Sequence, residues 1–190
     1  MTDELRPAGP LDGLAGRIAA TRGLLAVTAA AQISLRGDAA DTGFRVAVQR
    51  VIGGDLPLTP NTATALADGG HVLWLGPDEW LLVHEGSPAP LAVALADALA
   101  GRHAAVVDVS SSRAVIAITG AHARAVLAKG CSLDLHPRRF AAGRCAQTLL
   151  ARASVIIHQT SDAPAFRIHV RASLAVYLAE WLLEAAREFA

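Results

Sequence analysis

One pattern recurs along this chain at a fixed spacing, and it limits the possible folds more than any single motif. The stretch "AQISLRG" (residues 31–37) alternates apolar and polar positions and stops at a glycine, and 83 residues later "AVIAITG" (114–120) does the same. At that offset "LAVALADAL" (91–99) and "LAVYLAEWL" (174–182) agree at six of nine positions. Alanine-rich helices can match by chance, so the order of elements carries more weight. Each strand leads into a helical pattern. In residues 38–53, Asp38 is the expected N-cap, and Phe44, Val48, Val51 and Ile52 share a face; the shorter "AHARAVLAKG" (121–130) is expected to stop at Gly130. An L-x-L-x-P turn follows in both places, with Leu56, Leu58 and Pro60 lining up with Leu133, Leu135 and Pro137. Strands come next, over 69–85 with a Gly-Pro-Asp hairpin and over 143–170 with a Ser-Asp-Ala-Pro break.

Five elements recurring in one order predict an internal duplication. The expected fold is α+β, with two pseudo-duplicated, ferredoxin-like β-α-β-β-α halves that share sheets and a core. Segments such as "HAAVVDVS" (103–110) supply a further strand. The expected organisation is an N-terminal arm or short capping helix over residues 1–22, then a single compact domain over 23–190 built from repeats at about 31–100 and 114–185. With 53% hydrophobic but only 4% aromatic residues, the core must come mostly from Ala, Val, Leu and Ile, with apolar surface left for an interface.

Charge is balanced overall but not locally. Residues 1–100 hold 6 basic and 11 acidic side chains, leaving 11 and 6 for the rest, so the halves carry about −5 and +5. Such a dipolar chain is a poor nonspecific nucleic-acid binder but can dock by one end on a charged partner. No apolar run reaches membrane-spanning length, and the acidic start "MTDELRPAGPLDGLAGR" does not read as a signal peptide, so the expected location is the cytoplasm. Two cysteines in that setting are expected as free thiols.

The chain lacks the G-x-G-x-x-G of dinucleotide folds and the G-x-x-x-x-G-K-[ST] phosphate loop. Cys131, His136 and Cys145 lie near one another in sequence without the paired spacing of a zinc clamp, so no metal is expected. Lys129 near Cys131 favours a thiolate, whereas a helix C-terminus disfavours it, and packing is the preferred role for that thiol. In "DVSSSR" (108–113) Asp108 adjoins a serine run, but no G-x-S-x-G elbow surrounds it. The seven histidines, His71, His84, His103, His122, His136, His158 and His169, are scattered over strands and turns, as structural or solvated imidazoles are.

The segment "VVDVSSSRAVIAITGAHARAVLAKGCSLDL" (106–135) resembles the aminomethyltransferase superfamily, to which the glycine-cleavage T-protein and related folate-binding proteins belong. Four segments in order, "WLGPDEWLLV" (74–83), "DVSSSRAVIAITG" (108–120), "GCSLDLHPRRF" (130–140) and "CAQTLLARASVIIH" (145–158), resemble more narrowly the gamma subunits of heterotetrameric sarcosine oxidases. That resemblance implies a complex with alpha, beta and delta subunits that oxidises sarcosine to glycine, passes the methyl carbon to tetrahydrofolate and makes hydrogen peroxide. It implies FAD, FMN, NAD and tetrahydrofolate sites in the partner subunits, and a structural role with no catalytic or cofactor residue in this chain. The superfamily places paired aspartates on a strand that begins G-G; "GRCAQTLL" (143–150) has Gln147 and Thr148 instead, neither of which titrates near neutral pH.

A subunit needs docking surfaces. Trp80, at the hairpin tip, and Arg138, Arg139 and Arg144, after the proline turn, are the candidate partner contacts, since interfaces are enriched in Trp and Arg. The same basic segment suits a folate polyglutamate tail, so a stand-alone tetrahydrofolate-binding protein is the alternative reading. A small thiol or serine hydrolase rests only on Cys131 and the serine run.

Overall fold

A computed structural model describes residues 9–21, 24–28 and 30–189. The ten strands in it are β1 (Leu25–Thr28), β2 (Ala31–Arg36), β3 (Ala63–Ala65), β4 (His71–Gly76), β5 (Glu79–His84), β6 (Ala105–Asp108), β7 (Arg113–Thr119), β8 (Cys145–Leu150), β9 (Ala153–Ser161) and β10 (Ala165–Arg171). The helices are α1 (Ala15–Ala19), α2 (Thr42–Ile52), α3 (Pro88–Ala98), α4 (Ala123–Ala128) and α5 (Ala172–Ala186). Strand pairing is antiparallel throughout and forms two five-stranded sheets, in the orders β1-β7-β10-β9-β8 and β3-β4-β5-β2-β6.

The edge strands are exchanged. β1 runs almost directly into β2 yet pairs with β7, Leu25 opposite Ile118, whereas β6 comes just before β7 and pairs with β2, Ile33 opposite Asp108. The N- and C-terminal parts of the chain are therefore tied by backbone hydrogen bonds at both crossings. A third tie lies at the far edges, where Thr62 bridges to Arg144 and the amides of Ala63 and Cys145 donate to the carbonyls of Gly143 and Asn61.

Four layers follow from side-chain alternation. Trp80 and Leu82 of β5 join Phe44, Val48 and Ile52 of α2 and Leu95 of α3, while Leu81 and Val83 of the same strand face Cys145 and Ile156 of the other sheet. On that second sheet Val155 and Ile157 pack under Val126 of α4 and Leu178 and Leu182 of α5. Both faces of each central strand are covered, which is why "EWLLVH" reads as a continuous apolar run rather than an alternating one.

Some expectations change in detail. The N-cap of α2 is Asp41, whose carboxylate accepts from the Gly43 amide at 2.7 Å; Asp38 instead accepts from Ala40 in the turn before it. Gly53 ends that helix in the left-handed region, at φ 67°. α4 is shorter than 121–130, and Gly130 is required there by close approach: an added Cβ would lie 2.6 Å from Trp181 of α5. The two L-x-L-x-P turns bury different leucines, Leu56 with Leu58 exposed in the first and Leu135 with Leu133 half-buried in the second. Of the expected arm, residues 1–8 and 22 lie outside the described residues; Leu11, Leu14 and Ile18 within it are buried in the core beside α5. Among the described residues no helix is long and apolar enough to cross a membrane.

Candidate functional site

Two of the groups that could do nucleophilic chemistry, Cys145 and Ser110, are engaged in hydrogen bonds. Cys145 is fully buried between the sheets, its thiol donating to the Thr62 carbonyl at 3.2 Å, and burial pushes it up to about 11, far from a thiolate at neutral pH. Cys131 is half-buried, is a free thiol, and forms an isolated bridge to Leu150. Ser110 donates its hydroxyl to Asp108 at 2.6 Å and accepts from the Gln32 backbone N–H at 2.9 Å, which fastens the end of β6 to β2. Hydrogen bonds from Ser110, the hydroxyl first, hold Asp108 below the usual carboxylate range, in a local turn with the Ser110 amide. Among the described residues no group of three His, Cys, Asp or Glu side chains converges at metal-binding distances.

Six of the seven histidines fall into two sets, and the seventh, His103, is exposed. His84 pairs with Asp68 at 2.8 Å, His122 stacks on Phe189, and His136 takes part in the turn before Arg138. His71, His158 and His169 come together between the sheets. His71 and His158 meet edge to face, and His169 Nδ1 lies 3.0 Å from Gln32 Oε1. The Gln32 amide nitrogen donates to the Arg113 carbonyl at 3.2 Å, which orients its oxygen toward His169. His169 therefore carries its proton on Nδ1, and its Nε2 is a buried acceptor with no hydrogen-bond partner among the described residues.

Trp80 is not a surface residue. It is 0% exposed, packs against Phe44, and its Nε1 donates to the Pro57 carbonyl at 2.8 Å, so the hairpin offers this side chain to the core and not to a partner. The three arginines do not form one patch of equal exposure. Arg138 and Arg139 are exposed on the loop after Pro137, whereas Arg144 is half-buried at the junction of the two sheets. Arg124 of α4 clamps the 135–140 loop, donating to the carbonyls of Leu135 and Phe140 and to the side chain of Gln159 while lying over the Phe166 ring.

Gln147 and Thr148 line a cleft of ≈ 370 Å³ on the inner face of the β8-containing sheet, together with Ser154, His169, Arg113 and Arg171. No carboxylate lines it. Gln147 donates to the Leu75 carbonyl at 2.8 Å, holding β8 against β4. Arg113 and Arg171 stand directly opposite each other on β7 and β10. The sequence reading missed both; the alternation Arg167, His169, Arg171 in "FRIHVR" was the available sign that one face of β10 is basic. A second, larger depression, ≈ 590 Å³, is lined by Arg36, Asp38, Asp78 and His103, and there Arg36 is already paired with Asp78 and Glu79.

Residues 36–188 match the sarcosine oxidase, gamma subunit family. The sarcosine oxidase subunit gamma of Corynebacterium sp. strain U-96 is 38% identical over 158 residues, 83% of this chain and 76% of that protein. That of strain P-1 is 36% identical over 176 residues, 92% and 85% of the two chains. Among solved structures, a chain of the heterotetrameric sarcosine oxidase from Corynebacterium sp. U-96, in complex with pyrrole 2-carboxylate, superposes with a TM-score of 0.88 at 35% identity, covering 96% of both chains. The fold is also that of part of the glycine cleavage system aminomethyltransferase T from Bartonella henselae, with a TM-score of 0.65 at 18% identity, over 90% of this chain and 48% of the other. By the family match and the identity over most of its length, this chain belongs to the sarcosine oxidase gamma subunit family.

Proposed function

We propose that this chain is the gamma subunit of a heterotetrameric sarcosine oxidase and that its work is assembly rather than catalysis. The observation that carries this reading is the whole-length likeness to a chain of such a complex, 96% in both directions. The side-chain contacts are consistent with it, since the Cys145 thiol is buried in packing and Ser110 and Asp108 are bonded to each other. In this reading the alpha, beta and delta subunits are the partners, sarcosine is oxidised to glycine with transfer of the methyl carbon to tetrahydrofolate, and FAD, FMN, NAD and tetrahydrofolate are held by the partners. The proposed location is the cytoplasm. The proposed architecture is an arm over residues 1–22 and one domain over 23–190, whose sheets correspond as duplicated ferredoxin-like halves: β6-β2-β5-β4-β3 with β1-β7-β10-β9-β8.

Co-expression with flavin-bearing large subunits, followed by sizing and an absorbance spectrum, tests the reading. The expected result is one complex in which the flavin spectrum and sarcosine turnover require the large subunits, and in which this chain alone is colourless. A chain that stays apart from them and binds tetrahydrofolate by itself would overturn it in favour of a stand-alone folate-binding protein.

A further inference from the structure

Two guanidinium groups placed opposite each other on neighbouring strands repel, and a fold keeps such a pair at a cost unless negative charge is supplied. Arg113 and Arg171 are such a pair, and neither makes an ion pair with a described residue. Arg113 is half-buried, and burial, with the charge of Arg171, pulls it below the usual arginine range. The carboxylate of Glu79 acts on Arg113 from beyond ion-pair distance and is itself engaged by Arg36 at 3.6 Å. Among the described residues, no acidic group thus pairs directly with either guanidinium.

We propose that the cleft flanked by Arg113 and Arg171 is a binding site for a small oxyanion of carboxylate or phosphate chemistry. Planar guanidinium forks suit both anions, and two forks on one wall can hold two oxygens at once. The cleft, ≈ 370 Å³, is within the range of small-molecule sites. Its wall is preorganised. Gln32 is fixed by its bond to the Arg113 carbonyl, and it in turn fixes His169, a lining residue whose neutral ring supplies no competing charge. Ser154, from β9, adds an exposed hydroxyl to the same cleft. Because Arg113 is half-buried in a concavity, a small molecule reaches it more readily than an acidic side chain on a flat partner surface.

Arginine modification by phenylglyoxal, read residue by residue by mass spectrometry, tests the proposal on the full chain and on the assembled complex. Phosphate, succinate and chloride are compared at matched ionic strength. The expected result is saturable protection of Arg113 and Arg171 by phosphate or succinate, about tenfold when the anion is at about ten times its dissociation constant. Chloride should give none, and Arg138 and Arg139 should react equally throughout. The arm that protects at the lower concentration identifies the anion as phosphate-like or carboxylate-like. A matching rise in melting temperature of the full chain should disappear in Arg113→Gln. Equal reactivity in all three salts overturns the site, as does equal protection at Arg138 and Arg139. An Arg171 that reacts in the free chain but is already shielded in the complex without added anion also overturns it, because a partner then fills the cleft.

Discussion

His71 of β4 and His158 of β9 meet across the gap between the two sheets, edge to face, with ring centroids 4.8 Å apart. Among the described residues, neither ring finds a hydrogen-bond partner for its buried Nδ1. Burial first, then the nearby histidines and Arg167, drives His158 down to about 2; burial first, then Arg113 and Arg167, drives His169 down to about 3. The inter-sheet layer is therefore built around neutral imidazoles.

That arrangement makes the fold acid-sensitive in a defined window. Above about pH 6.5 both folded and unfolded imidazoles are neutral, so the histidines contribute no pH dependence. Below it the unfolded chain takes up protons that folded His158 and His169 refuse, so stability falls as pH falls toward about 3. Each histidine contributes a slope of up to about 1.4 kcal/mol per pH unit. Denaturant midpoints measured between pH 7 and 4.5 should drop steadily from about 6.5, before carboxylates titrate. Replacing His158 with Phe should remove up to about 1.4 kcal/mol per pH unit from the slope, with His169 and His71 supplying the rest, whatever it does to absolute stability. A flat profile across that range would show that the layer opens to water and protonates while folded.

Gly130 is the point where α5 presses on the chain between α4 and β8. Gly130→Ala would set a Cβ 2.6 Å from Trp181 and 3.1 Å from the Ala151 backbone nitrogen, and it should cost about 1–3 kcal/mol through overpacking. Because φ here is not in the left-handed region, the cost is steric. Trp181→Leu in the same chain should recover part of it. Thermal or denaturant melts of the two single variants and the double variant decide this, and strict additivity would refute the contact as the cause.

Much of this fold was legible because its central elements alternate or repeat every few residues. β2, β7, α3 and α5 fall where the 83-residue recurrence placed them. The pieces that escaped have physical reasons. β3 is three small residues, Ala-Thr-Ala, with no apolar contrast, and β1 is four residues whose pairing to β7 no local pattern reveals. The β8–β9 turn uses Ala151 at φ 53°, without the Gly or Asn that announces such a turn. At the site, Trp80 could not be assigned to core or surface from "DEW", because a strand covered on both faces shows no polar side. Arg113 and Arg171 are 58 positions apart, and only the β7–β10 register makes them neighbours.

Trp80 gives the clearest separation of core from interface. Trp80→Phe keeps a large ring against Phe44 but leaves the Pro57 carbonyl without its indole donor and a gap where the second ring was. The expected loss is about 1–3 kcal/mol of stability. Complexes formed with the large subunits should keep their stoichiometry and affinity. Weakened association in a variant that melts normally would return this hairpin to the surface.

Arg138 and Arg139 are the exposed half of the basic segment in a C-terminal half of the chain whose net charge is about +5. Their loop takes hydrogen bonds from their backbone amides but does not depend on their side chains for its shape. It is held by the Arg124 hydrogen bonds to Leu135 and Phe140, by burial of Phe140 itself, and by an Asp134 carboxylate that accepts from the His136 amide at 2.9 Å. Neither arginine makes an ion pair with a described residue, so reversing both charges removes little from folding. Docked arginines, by contrast, anchor interfaces. Arg138→Glu with Arg139→Glu should leave the melting temperature of the full chain within a few degrees of the parent, yet weaken co-purification with the large subunits. Wild-type association should fall as salt rises, since screening acts on exposed charge. Changing Arg124 to Met is the control: it should lower the melting temperature and loosen the loop whether or not a partner is present. An unchanged complex for the double reversal at low and high salt would place the interface elsewhere, and a collapsed melt would show that the two arginines hold the fold.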